Sequence, residues 1–249
     1  MGKVLKIGAF ITSHGFGHGT RTCAVLNEVA KSRSCKFDIF SNLPNWFFFH
    51  NLPELELELH NIQTDVGLVQ KSPFIHDLNE TLKQLEKFTQ FNNRDFLECL
   101  KIARNKDFDL LISDISPVGL EIGKQMGIPS TLIENFTWDW IYQEYCDSHL
   151  GFNRINEILE KSYSYADLHI QASPFCQKTQ KAMETPPISR SIRKPHSEIK
   201  QLLGIGKNYK VILLTTGGIT KELNLIESLK EENDLIFITT TATRSITTS

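Results

Sequence analysis

Apolar runs alternate along this chain with amphipathic stretches, and that alternation sets the fold class before any motif is considered. From Val4 to Thr12 the residues are mostly β-branched, aromatic or small, interrupted by Lys6, as in a strand buried on both faces of a parallel sheet. A glycine-rich loop follows, and from Thr20 to Lys31 the residues Cys23, Ala24, Leu26, Val29 and Ala30 recur at helical spacing with charge between them. Lys36–Ser41 (KFDIFS) is the next expected strand, and Leu55–His60 (LELELH), with its strict alternation, the one after. Asn42 to Pro53 is expected as an irregular joint. Its Trp46, Phe47, Phe48 and Phe49 are expected to form a buried plug in preference to walling a pocket, because aromatic side chains mostly bury for area.

Farther on, Leu78, Leu82, Leu85, Phe88, Phe96, Leu97, Leu100 and Ile102 predict a crossover helix over Asp77–Lys106, bent or broken at Asn92 and Asn93. FDLLIS (Phe108–Ser113) is a buried strand ending at Asp114, SPVGLEIGKQMG a short helix stopped by Gly127, and IPSTLIEN a further strand. FTWDWIYQEY predicts a helix packed over the sheet edge, Asn153–Tyr165 another helix, and LHIQASPF a last strand. Strands alternating with helices imply an α/β architecture with a doubly wound parallel Rossmann-like sheet over residues 1–185, with ligands at the carboxyl ends of the strands. Residues 186–196, with Pro186, Pro187 and Pro195 among Ser, Arg and Lys, are the expected linker. Residues 197–249 then start a second Rossmann-like domain: a helix over 197–203, a strand over 209–215, a TTGGI turn, a helix over 221–231 and a strand over 235–239. That stretch is short of the roughly 100 residues usual for a domain, and the second domain is expected to be incomplete.

Composition narrows the partners. The chain has 249 residues, 40% hydrophobic and 22% charged, an ordinary globular balance. A net charge of −2 provides no basic field, so nucleic acid is not an expected partner. Five cysteines, an odd number without any CxxC, fit neither a disulfide framework nor a zinc site and point to reduced thiols in the cytoplasm. No apolar run is long enough to span a bilayer, and Val4–Ile11 lacks the flanks of a signal peptide.

The candidate chemistry centres on Ile11–Arg21, ITSHGFGHGTR. Its GxG is followed by Thr20 where a dinucleotide fingerprint needs a third glycine, and the second strand ends in Ser41-Asn42 and not in an acid, so a nicotinamide or flavin site is not expected. His14 and His18 have the spacing of a zinc HExxH, but glycines lie between them and no Glu follows the first, so no metal is expected. What remains is a loop whose glycines let backbone approach a ligand, at a helix start, with imidazoles able to act as a general base.

The segments HGFGHGTR, DLLISDISPVGLEIGKQMGIPSTLIENFTWDWIYQEY and VILLTTGG resemble glycosyltransferases of the GT-B fold, and most closely the glycosyltransferase-like N-terminal region of plant L-arabinokinases and their microbial relatives. The resemblance covers residues 4–218 and is most specific over Asp114–Tyr145. It implies an acceptor-side GT-B domain over residues 1–185 and the beginning of a donor-side domain after residue 196. In plant sugar-transferring members a Gly-His after the first strand supplies the base and an Asp at the end of a later strand orients it. Those positions fall on Gly17-His18 and Asp114, so the resemblance implies transfer of a sugar from a nucleotide-sugar to an acceptor hydroxyl by a His18–Asp114 dyad. It places acceptor or substrate binding at His14, Gly15, Gly17, Arg21, Asn135, Trp138 and Asp139, and the donor diphosphate on Thr216, Gly217 and Gly218. No cofactor or metal is implied beyond the nucleotide-sugar co-substrate, and a partner chain is a possible source of the missing half-domain. Three alternatives stay open: His18 and Asp114 as packing and capping residues only, a non-catalytic truncated remnant or sugar-nucleotide-binding module, and a nucleotide-sugar epimerase on the same fold. No sugar-kinase domain accompanies the resemblance, so arabinokinase activity is not implied.

Overall fold

The computed structural model describes residues 3–72, 75–206, 208–214 and 235–239. The expected TTGGI turn with Thr216, Gly217 and Gly218, the expected helix over 221–231 and the Thr/Ser-rich tail lie outside the described residues. The elements in chain order are β1 (Leu5–Ile11), α1 (Phe16–Ser32), β2 (Cys35–Phe40), α2 (Asn45–Asn51), β3 (Leu57–His60), β4 (Gln70–Ser72), β5 (Ile75–His76), α3 (Leu78–Phe88) and α4 (Arg94–Lys106). They continue with β6 (Leu110–Asp114), α5 (Pro117–Met126), β7 (Ser130–Glu134), α6 (Trp138–Gln143), α7 (Gly151–Tyr163), β8 (Leu168–Ala172), β9 (Met183–Thr185), α8 (His196–Leu202), β10 (Lys210–Leu214) and β11 (Leu235–Thr239).

The chain forms two compact units, one of Met1–Val69 with His76–Arg190 and the other of Gln70–Ile75 with Ser191–Ser249. The first is built on a seven-stranded sheet in the order β3-β2-β1-β6-β7-β8-β9, parallel throughout. This is the doubly wound sheet that the apolar runs predict. In the second, β10 and β11 run parallel, with Lys210 opposite Leu235 and Leu214 opposite Thr239.

Successive strand residues face opposite sides of the sheet, and both sides are covered, which is why the central strands carry apolar residues without alternation. Ile7, Ala9 and Ile11 of β1 join Phe37, Ile39, Ile112, Cys23 and Leu26 in a core on one face. Phe10 and Leu111 join Phe96, Val118, Leu120, Tyr142 and Phe152 in a core on the other. Each of the large side chains fully buried here contributes roughly 1.5–3 kcal/mol of transfer free energy. Phe10 stacks on Phe40 of the neighbouring strand at 4.3 Å between ring centroids, tying β1 to β2 through their side chains.

Some elements depart from the pattern-based expectation, whereas the break of the crossover at Asn93 and the stop at Gly127 follow it. Helix α1 begins at Phe16, four residues before its apolar period, so Gly17, His18 and Gly19 are helical and not loop. Gly19 is small because a Cβ there would sit 2.6 Å from both Leu43 and Phe47; it admits the α2 region and has no turn to make. The joint after β2 contains that helix, and its aromatic run divides by helical period: Phe47 and Phe48 are buried, whereas Trp46 and Phe49, three apart on the other face, are 61% and 58% exposed. The expected plug therefore consists of Phe47 and Phe48. The long crossover is two helices. Phe91 takes a left-handed φ of 49° and Asn93 caps α4 by accepting the Phe96 N–H at 2.9 Å, while Asp77 caps α3 from the Glu80 N–H at 3.1 Å. Gly127 ends α5 at φ 66°, as its position after GKQM predicts. Strand β9 was not expected, because a strand this short with two exposed residues leaves no apolar signature. Among the described residues no helix is long and apolar enough to cross a membrane.

Candidate functional site

The sheet order reverses between β1 and β6: the chain winds from β1 outward through β2 and β3, then returns to place β6 on the other side of β1. The crevice beyond the carboxyl ends of two such strands is where open α/β sheets bind ligands. Register puts Ile11, the last residue of β1, directly beside Asp114, the last of β6. The chain leaving β1 turns into α1, and the first turns of that helix carry His18, Arg21 and Thr22 on one face at i, i+3 and i+4. All three converge on Asp114.

The Asp114 carboxylate is fully buried. Its Oδ1 lies 2.8 Å from His18 Nδ1 and accepts from Arg21 Nη2 at 2.5 Å. Its Oδ2 accepts from Arg21 Nε at 2.8 Å and from Thr22 Oγ1 at 2.9 Å. Arg21 Nη1 donates to Asn135 Oδ1 at 2.6 Å, so the guanidinium links the ends of β6 and β7. Burial by itself would raise the Asp114 carboxyl, but the hydrogen bonds and charges of Arg21 and then His18 outweigh it and hold the group below the usual carboxylate range. Burial works against the Arg21 charge as well, and the bond to Asp114 overcomes it and takes the guanidinium above its already high ordinary value. The pair is thus ionised at neutral pH. An ionised carboxylate only accepts, so the proton facing Asp114 is on His18 Nδ1, and in the neutral imidazole the lone pair is then on Nε2. The His18 side chain is 11% exposed, and its ring stands edge-on to Phe136 at 5.6 Å.

The backbone beside the carboxylate is strained. Ile115, immediately after Asp114, has φ 49°, a conformation that a β-branched residue adopts at a cost of about 1–3 kcal/mol. Its buried side chain and the bond from Tyr163 Oη to its carbonyl, 2.9 Å, keep it there.

No protein-family model matches the sequence. The chain is 25% identical over 231 residues to the L-arabinokinase of Arabidopsis thaliana, a match that takes in 91% of this chain and 22% of that protein. Among solved structures, the calicheamicin glycosyltransferase CalG4 superposes with a TM-score of 0.60 at 12% identity, over 96% of this chain and 66% of that one. The spinosyn rhamnosyltransferase SpnG, complexed with thymidine diphosphate, superposes with a TM-score of 0.55 at 10% identity, over 94% and 65% of the two chains. The chain has the GT-B glycosyltransferase fold. It spans under a quarter of the arabinokinase and somewhat less than two thirds of SpnG.

On this GT-B scaffold the other expected site residues divide into groups. Gly15, with φ 88°, must be glycine for its conformation, and both Gly15 and Gly17 front open space at the start of α1. Arg21 and Asn135 belong to the buried Asp114 network. His14 is a third exposed and faces a different carboxylate, Asp65, with Trp138 buried beside it and donating Nε1–H to Asp65 Oδ2 at 2.8 Å. Asp139 lines a separate cleft of about 260 Å³ with Glu134, Phe136, Trp140, Glu160 and Tyr163. Its Oδ1 is buried without a hydrogen-bond partner, and burial raises its carboxyl. The structure therefore brings together His18, Arg21, Asn135 and Asp114, and separately His14 and Trp138. Thr216, Gly217 and Gly218 lie outside the described residues.

Thr22, Asp65, Ile115 and Phe136 were not anticipated. Thr22 was recoverable from its i+4 spacing to His18, given the true helix start. Asp65 lies in a segment without periodicity and had no signal. Among the described residues, Asp38, Glu58 and His60 are the group spaced to hold a metal ion. Lys106 already occupies it, with Nζ 3.1 Å from Asp38 Oδ1 and paired with Glu58.

Proposed function

We propose that this chain is the acceptor-side part of a glycosyltransferase that moves a sugar from a nucleotide-sugar to an acceptor hydroxyl. The observation that carries the proposal is the 2.8 Å contact between His18 Nδ1 and Asp114 at the strand-order reversal. In this scheme His18 Nε2 takes the hydroxyl proton as the acceptor oxygen bonds to the anomeric carbon. The bond from that carbon to the diphosphate oxygen breaks, and the nucleoside diphosphate leaves with its electrons. General-base catalysis of this kind contributes typically about 10²–10⁴-fold.

Asp114 sets the imidazole tautomer, as the aspartate of a catalytic triad does. Because Arg21 already balances its charge, Asp114 acts here more through orientation than as a counter-ion for the imidazolium. The resemblance assigns the leaving diphosphate to Thr216, Gly217 and Gly218, which lie outside the described residues, and the scheme uses no metal. Five free cysteines fit a reducing, cytoplasmic setting.

The test is transfer from UDP-, GDP- and dTDP-sugars by wild type, His18→Ala and Asp114→Asn, with thermal shifts read in parallel. A nucleotide-sugar at 100 times its Kd raises stability by roughly 2.7 kcal/mol. Loss of transfer in both variants with binding retained is expected, and a wild-type rate in His18→Ala would remove the dyad. Binding without transfer in the wild type would favour a sugar-nucleotide-binding module. Conversion of the donor without an acceptor would favour an epimerase.

A further inference from the structure

His14 lies in the loop just before the helix that carries His18, in a cradle assembled from distant parts of the chain. Its ring lies directly over Gly67: a Cβ built there would fall 2.0 Å from His14 Nε2. Gly67 is also at φ 62°, so both its conformation and the imidazole above it require glycine. The Gly67 carbonyl is fixed by Tyr142 Oη at 2.7 Å. Trp138 meets the imidazole edge-on at 5.1 Å, and the His14 N–H is tied to Thr12 Oγ1 at 3.3 Å.

Opposite Nε2 stands Asp65. Its side chain is 2% exposed; Oδ2 takes the Trp138 Nε1–H, and Oδ1, 3.8 Å from His14 Nε2, is buried with no hydrogen-bond partner. A buried carboxylate oxygen without a donor is unusual, and the His14 imidazole stands about 0.5 Å beyond hydrogen-bond reach of it. Catalytic hydrogen bonds commonly stand open by this much without substrate and tighten when it binds.

We propose that His14 and Asp65 form a second imidazole–carboxylate pair in the crevice, in which Nε2 carries the proton toward Asp65 and Nδ1 is left as the acceptor for a second hydroxyl of the acceptor substrate. The two histidines then present opposite ring nitrogens, His18 its Nε2 and His14 its Nδ1, because each carboxylate approaches the other nitrogen. Asp65 is a positioning residue that acts through His14. The use of Nδ1 rests on the transferase proposal; the tautomer does not, and the experiment reads the tautomer alone.

The Trp138 indole can only donate, so in Asp65→Asn the amide oxygen must face Trp138 and the amide NH₂ must face His14. A donor there requires Nε2 to accept, which moves the ring proton to Nδ1. The experiment is two-bond ¹⁵N–¹H correlation NMR on ¹⁵N-histidine-labelled full chain at alkaline pH, with His14 among the eight histidines identified by its loss in His14→Gln. The expected result is Nε2–H in the wild type and a switch to Nδ1–H in Asp65→Asn, with the other histidines unmoved. Nδ1–H in the wild type overturns the proposal even if no variant folds. An unchanged His14 tautomer in a folded Asp65→Asn chain overturns it as well, since simple packing over Gly67 predicts that outcome.

Discussion

Replacing Asp114 by asparagine should cost far more stability than its single-atom change suggests. The carboxylate takes four donors, Arg21 Nε and Nη2, Thr22 Oγ1 and His18 Nδ1, divided between its two oxygens. Asparagine has one acceptor oxygen, and its NH₂ must point either at Arg21 Nε and Thr22 or at Arg21 Nη2 and His18. In both orientations a donor faces donors and a buried guanidinium loses its counter-charge. Breaking one side of a buried ion pair costs about 3–5 kcal/mol. At roughly 2–4 °C per kcal/mol for a chain of this size, Tm should fall by about 6–20 °C. The Asp114 carboxyl is lowered in the fold, so its contribution is complete above the unfolded value near 3.9 and is lost as pH falls below about 4 toward the folded value. The gap between wild type and Asp114→Asn should accordingly be full at pH 7 and narrow in acid. Urea unfolding monitored by circular dichroism at pH 7 and pH 3 measures both. The double variant Arg21→Met with Asp114→Leu should recover most of the loss, because apolar replacements of similar volume leave no charge behind. A loss below about 1 kcal/mol in Asp114→Asn, or a double variant as unstable as the sum of its singles, would refute the reasoning.

Other expectations follow from individual environments. Asp139 is the reverse of Asp114: its carboxyl is raised, so its fit to the fold is best below the unfolded carboxylate range and is lost as pH rises through the folded value, and Asp139→Asn should raise the denaturation midpoint at pH 7 with no gain near pH 3. Gly119→Ala places a Cβ 2.3 Å from Ser113 Oγ and 2.7 Å from the Phe10 ring, and a loss of about 1–3 kcal/mol in urea unfolding is expected. Burial pushes the Cys23 and Cys99 thiols up to about 12, while Cys176 is exposed; native alkylation read by mass spectrometry should label Cys176 and reach Cys23 and Cys99 only in denaturant. His18→Ala removes one donor from Asp114 and leaves the Arg21 pair intact, so it should cost about 1–2 kcal/mol while abolishing transfer.

The alternation of apolar runs with amphipathic stretches was sufficient for the α/β class, because burial on both faces of a parallel sheet leaves a local trace in the central strands, as in β1, β6 and β7. It also put His18 and Asp114 near strand ends, and Gly127 marked a helix stop because a left-handed terminus selects glycine locally. What no local pattern carries is which strand ends meet. His18 and Asp114 touch because β6 lies beside β1, and Arg21 and Thr22 join them because α1 starts at Phe16, a start hidden by Gly17 and Gly19, the latter kept small by Leu43 and Phe47. Ile115 is the type of residue least expected at positive φ, and its buried side chain, its bridge to Ile11 and the Tyr163 hydroxyl keep it there. Asp65 lies in an aperiodic segment and gains its meaning from Trp138 and His14, both remote in sequence. The sequence by itself determined the strands, their faces and the residue types available for chemistry; the tertiary structure decided the pairings, because hydrogen bonds and ion pairs act over a few ångströms in space and leave no periodic signal along the chain.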